Sequence, residues 1–140
     1  MFLDININGL HVLVVVCYRA PNLGFLVDFE RALINIMVQY RHIIVMGDFN
    51  SNLLNTGSYE QISLNALFQS CNLTILPLSA THHHTNTYTW LDVIAVADPD
   101  HVVHHGQYSV PGLSKHDLIF CMYRLSVPKS RSKFIYFKKF

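Results

Sequence analysis

Asp48 and Asn50 are the first side chains in this 140-residue sequence whose types and spacing could do chemistry. They lie two positions apart in Gly47-Asp48-Phe49-Asn50, directly after an apolar run at residues 43–46. A carboxylate there can accept a proton from water while a carboxamide donates to a phosphate oxygen. Asp and Asn also cluster in turns for purely local reasons, so an Asx-rich turn is the alternative interpretation.

A second carboxylate and a histidine stand further along the chain. Asp92 lies inside an otherwise apolar strand candidate at residues 88–97, where an unpaired carboxylate is costly and therefore needs a partner. His116 lies at a loop-to-strand junction near residues 112–119. An Asp that holds a His in one tautomer is a recurrent catalytic pair. A structural Asp–His hydrogen bond, or two unrelated surface residues, remains the alternative.

The histidines raise the separate hypothesis of a Zn²⁺ or Ni²⁺ site. Adjacent histidines point in different directions, and no acid or thiol partner completes a known spacing. We therefore interpret the run as a solvated loop. The histidines concerned are His82, His83, His84, His101, His104 and His105.

Periodicity predicts the elements that must position these residues. Alternating or β-branched runs predict strands, Asn8-Gly9 predicts a hairpin turn between the first two, and apolar residues at three- and four-residue steps predict helices. Two helices among about seven strands indicate an α/β or α+β sandwich in one domain. Strands are predicted at residues 2–7, 10–18, 43–46, 73–76, 88–97, 102–109 and 118–125, and helices at 24–40 and 59–70, the second capped by Ser58.

Composition limits the classes of function. With 51% hydrophobic residues, 14% charged residues and a net charge of +1, the chain is globular and has no global field for a polyanion, so nucleic-acid binding needs a local site. No apolar run approaches the roughly 20 residues of a membrane span, and the N-terminus lacks the basic start of a leader. Cys17, Cys71 and Cys121 are odd in number and have apolar neighbours, which favours buried thiols. We expect an intracellular protein of the nucleus or cytoplasm that is neither secreted nor membrane-bound.

Four short segments, taken in order, carry a family resemblance. They match a Y-R-x-P segment, a G-D-F-N loop, an L-D-x-I strand and an S-D-H loop. The sequence resembles the endonuclease/exonuclease/phosphatase superfamily, and within it the endonuclease domain of jockey-like non-LTR retrotransposons, a reverse transcriptase-associated domain. The matching segments are Tyr18-Arg19-Ala20-Pro21, Gly47-Asp48-Phe49-Asn50, Leu91-Asp92-Val93-Ile94 and Ser114-Lys115-His116.

The resemblance implies a four-layer α-β-β-α sandwich and Mg²⁺- or Mn²⁺-dependent nicking of a DNA phosphodiester. It implies that Tyr18 contacts the phosphate and that Asp48 orients or deprotonates the attacking water. It further implies that Asn50 holds the scissile phosphate, and that His116, oriented by Asp92, stabilises the charged phosphorane. These roles suit phosphodiester hydrolysis, which depends on placing water in line and neutralising charge on phosphate oxygens.

Two departures from the family pattern affect the metal region. The S-D-H motif reads Ser114-Lys115-His116, so an ammonium replaces an acid, and Asp117 would point to the opposite face of a strand. The family's first half supplies an Asn and the Glu that is the principal Mg²⁺ ligand, and this sequence starts after both. Neither Glu30 nor Glu60 is placed to replace that ligand, so the metal site is expected to be incomplete.

These departures set the remaining expectations. We expect residues 1–125 to form the second half of such a domain, incomplete at the N-terminus and inactive by itself. A non-enzymatic remnant of a mobile element, or a superfamily phosphatase for small phosphate esters, is the alternative. Residues 126–140 form a basic-aromatic tail that could grip single-stranded nucleic acid, or that simply follows the end of the domain.

Overall fold

A computed structural model describes residues 1–21, 24 and 26–129, and in it two helices cover one face of a five-stranded sheet. The second helix begins after Ser58, whose hydroxyl accepts from the backbone N–H of Gln61, so the predicted cap is present. The helices are α1 (Leu26–Met37) and α2 (Tyr59–Ser70). The strands are β1 (Phe2–Ile7), β2 (Leu10–Tyr18), β3 (His42–Asp48), β4 (Thr74–Ile75), β5 (His82–His84), β6 (Thr87–Thr89), β7 (Asp92–Val96), β8 (Val102–Tyr108) and β9 (Leu118–Tyr123).

The main sheet has the order β1-β2-β3-β7-β4, with β2 and β3 parallel and the other neighbours antiparallel. Gly47 allows β2 and β3 to approach at the end where the candidate residues lie. A Cβ at this position would stand 1.8 Å from the carbonyl oxygen of Cys17, and its φ is +146°. Only glycine fits both conditions.

Each face of the main sheet has its own apolar core. On the helix face, Phe49 packs edge-on against Phe29 and Phe68 at centroid distances of 5.7 and 5.4 Å. On the other face, β8 and β9 form a two-stranded sheet that covers Ile94 and Val96. Helices, main sheet and second sheet form successive layers, which confirms the mixed α/β sandwich.

Two of the sequence-based elements differ in kind from the expectation, and α1 is shorter than the helix expected at residues 24–40. The strand expected at residues 88–97 is divided into β6 and β7, because the backbone N–H groups of Trp90 and Leu91 donate to the side chains of Asn52 and Thr81 instead of to a neighbouring strand. The histidine run expected to be a loop forms β5, which pairs with β6.

Other expectations concern burial and the chain ends. Cys71 is buried, Cys17 and Cys121 are half-buried, and all are free thiols. No helix in the described part of the chain is long and apolar enough to cross a membrane. Residues 130–140, most of the basic-aromatic tail, lie outside the described residues.

Candidate active site

Three of the candidate side chains stand in one row across the main sheet. Tyr18 is in register with Asp48, and Asp48 is in register with Asp92, at the ends of β2 and β3 and the start of β7. Residues in register on neighbouring strands point to the same face. This is the face opposite the helices, because Ile94 and Val96, which alternate with Asp92, pack under β8 and β9.

His116 approaches this row from the loop before β9. Its Nδ1 lies 2.9 Å from Oδ2 of Asp92, and the Asp92 residue is 9% exposed. An ionised carboxylate can only accept, so Nδ1 donates and Nε2 is left to face another group. One possible ligand atom from each of Asp48, Asp92 and His116 lies within 4.8 Å of the others. The Asp–His hydrogen bond expected from the sequence is therefore present, although its geometry alone assigns no catalytic role.

Thr81 fixes the backbone beneath Asp92, and sequence reasoning did not identify it. This residue is fully buried, and its hydroxyl oxygen accepts from the backbone N–H groups of Leu91 and Asp92 at 3.1 and 3.0 Å. The indole N–H of Trp90 donates to the carbonyl of Asp92. A buried threonine before a histidine run carries no local signal of this role, because its partners are ten and eleven residues away.

Asn50 contacts Asp48 in the loop after β3. Its backbone N–H donates to Asp48 Oδ1 at 2.9 Å, and its amide nitrogen donates to Asp48 Oδ2 at 3.2 Å and to the carbonyl of Arg19 at 2.7 Å. The φ of Asn50 is +47°, a conformation that Asn tolerates better than most residues. Both amide hydrogens are engaged, so Asn50 orients Asp48 here. To donate to a phosphate, its amide would have to give up one of these two hydrogen bonds.

The electrostatics around Asp48 reflect its surroundings. Burial raises the pKa of its carboxyl above the ordinary value, and the backbone hydrogen bond from Asn50 opposes this. The nearby Asp92 carboxylate raises the pKa further, whereas His116 and His82 lower it. The carboxylates of Asp48 and Asp92 therefore repel each other, and a bound cation would reduce that repulsion.

The other acids of the chain lie elsewhere. The buried carboxylate of Asp117 accepts from His83 and Gln107 and so faces away from Asp92, as expected. Glu30 accepts a hydrogen bond from Ser70 in the groove between α1 and α2, which Glu60 also lines. Both glutamates are thus in the helix layer, on the other side of the main sheet.

The donor set fits part of a magnesium or manganese site. Mg²⁺ is commonly held by one or two carboxylates and takes its other oxygens from water and substrate phosphate. Asp48 and Asp92 meet that requirement, while Nδ1 of His116 is engaged by Asp92. Within the described residues no further acid joins this cluster, so the protein's share of the ligands is two carboxylates.

The separate histidine metal site receives no support. Among residues 1–21, 24 and 26–129, the cluster of Asp48, Asp92 and His116 is the only one with three possible ligands. His101 lies against His42, at the start of β3, and against Tyr123, with ring centroids 4.9 and 5.5 Å away. His82, however, lies against His116, so part of the run belongs to the candidate site.

Comparison with solved structures places the fold. The endonuclease domain of TRAS1, a telomere-specific non-LTR retrotransposon, matches with a TM-score of 0.77 and 15% identity, covering 89% of this chain and 63% of that one. An endonuclease/exonuclease/phosphatase family protein from Leptotrichia buccalis C-1013-b matches with a TM-score of 0.68 and 16% identity, covering 89% and 52%. The 3′ phosphatase NExo from Neisseria, bound to product DNA hairpin, gives 0.66 and 12% identity, covering 89% and 65%. The chain thus spans less than two thirds of the length of each of these structures.

Sequence comparison identifies the family. A search of curated proteins finds no significant match. The family model described as endonuclease-reverse transcriptase matches residues 12–120, which include Tyr18, Asp48, Asn50, Asp92 and His116. This match and the shared fold together show that the chain belongs to the endonuclease-reverse transcriptase family of the endonuclease/exonuclease/phosphatase superfamily.

Proposed function

We propose that this chain carries the acid–base part of a metal-assisted DNA endonuclease, of the kind that nicks a target site for retrotransposon insertion. The observation that carries the proposal is the meeting of the Asp92–His116 pair with the Asp48–Asn50 pair at one end of the sheet. Tyr18, Asp48 and Asp92 stand in register on neighbouring strands, and a tyrosine beside two carboxylates suits phosphodiester hydrolysis. DNA is the proposed substrate, and the family's action on nucleic acid supports that choice.

Each side chain has a part in the proposed reaction. Asp48 orients the attacking water and accepts its proton. His116, in its protonated form, presents Nε2 to a phosphate oxygen as charge develops there, while Asp92 stabilises the imidazolium through Nδ1. Tyr18 is 72% exposed at the end of its strand, so its hydroxyl can contact a phosphate without moving neighbouring atoms.

Asp48 and Asp92 would hold a divalent ion, which when bound supplies charge neutralisation on the phosphate oxygens. The two carboxylates are the whole protein contribution within the described residues. Lys115 adds an ammonium where the family pattern has an acid, next to His116. We propose that the 140-residue chain alone does not turn over, because these groups are too few and one charge has the wrong sign.

Nicking of supercoiled plasmid in Mg²⁺ or Mn²⁺ tests the proposal. We expect no product from the 140-residue chain and measurable product when a segment that carries the family's Asn and Glu is fused before Met1. His116→Ala should abolish nicking by the fusion, and Lys115→Asp should increase it. The matched control is His84→Ala, an exposed histidine at the end of β5.

Three outcomes would contradict parts of the proposal. Robust nicking by the chain alone, lost in His116→Ala, would overturn the proposed inactivity and support the assignment of the site. A folded fusion that binds DNA but never nicks would indicate a non-enzymatic remnant. Hydrolysis of a small phosphate monoester without plasmid nicking would favour the phosphatase alternative.

A further inference from the structure

His82 covers one side of the His116 ring. The centroids of the two imidazole rings are 4.6 Å apart, and the ring planes are inclined by 55°. Nδ1 of His82 lies 3.3 Å from the hydroxyl oxygen of Thr89 on β6, and this contact sets the orientation of the His82 ring. His116 is therefore in contact with a carboxylate through Nδ1 and with a second imidazole that packs against its ring at a tilt.

The backbone of the β5–β6 hairpin is joined to the His116 loop independently of these rings. His82 and His116 form an isolated antiparallel bridge, and the N–H of His83 donates to the carbonyl of Lys115 at 2.9 Å. The N–H of Asp117 donates to the carbonyl of Thr81 at 2.7 Å. These bonds place the loop whatever the side chain at position 82, so the ring contact is a separate feature with its own effect.

A second restraint on the His116 ring has a physical purpose. The His116 side chain is 33% exposed, and its hydrogen bond to Asp92 is a single side-chain contact through one nitrogen. One hydrogen bond limits the ring but leaves it free to swing about its bond to the backbone. A second ring packed against His116 removes much of that freedom, because swinging would then require loss of the contact.

We propose that His82 is a positioning residue, which keeps the imidazole of His116 in the orientation where Nδ1 donates to Asp92 and Nε2 faces the substrate phosphate. The part that concerns the phosphate rests on the proposed function. The part that concerns the ring follows from the Asp92, His116 and Thr89 contacts alone. The histidine run, which the sequence led us to interpret as a solvated loop, thereby contributes His82 to the site.

Long-range ¹H–¹⁵N spectra of the labelled chain test the placement of the ring. In the unmodified chain we expect the Nδ1 proton of His116 to be protected from exchange by Asp92. His82→Ala should lose that protected signal, whereas His82→Phe should keep it, because phenylalanine supplies a ring to pack against His116 but no ring nitrogens. His84→Ala, on the same strand but without a contact to His116, is the matched control and should resemble the unmodified chain.

The spectra can overturn the proposal in three ways. An unchanged His116 signal in His82→Ala shows that Asp92 alone positions the ring. Loss of the signal in His84→Ala as well shows a general loosening of the hairpin, and a melting curve for each variant checks that the fold is retained. Loss in both His82→Ala and His82→Phe would likewise refute positioning by ring packing.

Nicking by the fusion separates this inference from the proposed function. His82→Ala should lower kcat about tenfold and leave KM nearly unchanged, since a misplaced group slows the chemical step more than binding. His82→Phe should recover most of kcat. A silent fusion with the expected spectra counts against the proposed function only, whereas an active fusion with kcat insensitive to His82→Ala counts against the positioning role only.

Discussion

Replacement of Thr81 by Val should detach the strand start that carries Asp92. The two side chains have nearly the same volume, so the change leaves no large cavity and replaces one hydroxyl by one methyl group. The hydroxyl accepts the backbone N–H groups of Leu91 and Asp92 in a fully buried position. Both donors would then be left without that acceptor, away from water.

The magnitude follows from counting these donors. A buried polar group left unsatisfied costs about 1 to 3 kcal/mol, so two cost about 2 to 6 kcal/mol. For a domain of this size, each kcal/mol lowers Tm by about 3 to 4 °C, so Thr81→Val should lower Tm by about 6 to 24 °C. Thr81→Ser keeps the hydroxyl and loses one buried methyl group, which costs only about 1 kcal/mol.

Thermal unfolding followed by circular dichroism measures the difference, and the serine variant is the internal standard. Because only the serine variant keeps the hydroxyl acceptor, Thr81→Val should melt well below Thr81→Ser. If the valine variant melts at the same temperature as the serine variant or above it, the hydroxyl is not what holds this strand start. The His116 spectrum should change in the valine variant as well, because Asp92 is the partner of His116.

Three further predictions concern the sheet, a buried histidine and an exposed face. Gly47→Ala should unfold the chain in urea far more readily than Gly57→Ala, because its Cβ would meet a backbone oxygen at 1.8 Å, whereas at Gly57 nothing lies within 4 Å and only the positive φ costs about 1 kcal/mol. Burial lowers the pKa of His42, so the native state favours the neutral ring. Stability should therefore be full above about pH 6.5 and fall as the pH drops below it. His42→Phe should flatten that part of a curve of Tm against pH. Ile5 is 43% exposed on β1, whose six residues are all exposed, so the chain should bind a hydrophobic dye. Ile5→Lys should reduce the fluorescence of the bound dye, and Val27→Lys on α1 should reduce it less.

Local patterns in the sequence predicted much of the fold. The bounds of β1, β2 and α2 are those expected, because alternation and three- to four-residue spacing are contained within each segment. The motif around Gly47 and Asp48 likewise indicated a strand end, since an apolar run followed by Gly and Asp has few other readings. The sequence also identified the family, because four short motifs occur in the expected order.

Only the tertiary structure decided which other residues belong to the site. Thr81 and His82 precede Asp92 and His116 by 11 and 34 positions, and no periodicity links residues so far apart. Their roles depend on the β5–β6 hairpin folding back onto the loop before β9, a path that is set by long-range backbone pairing. The sequence gives the type of each side chain, but the pairing of strands that are distant in sequence determines which side chains become neighbours.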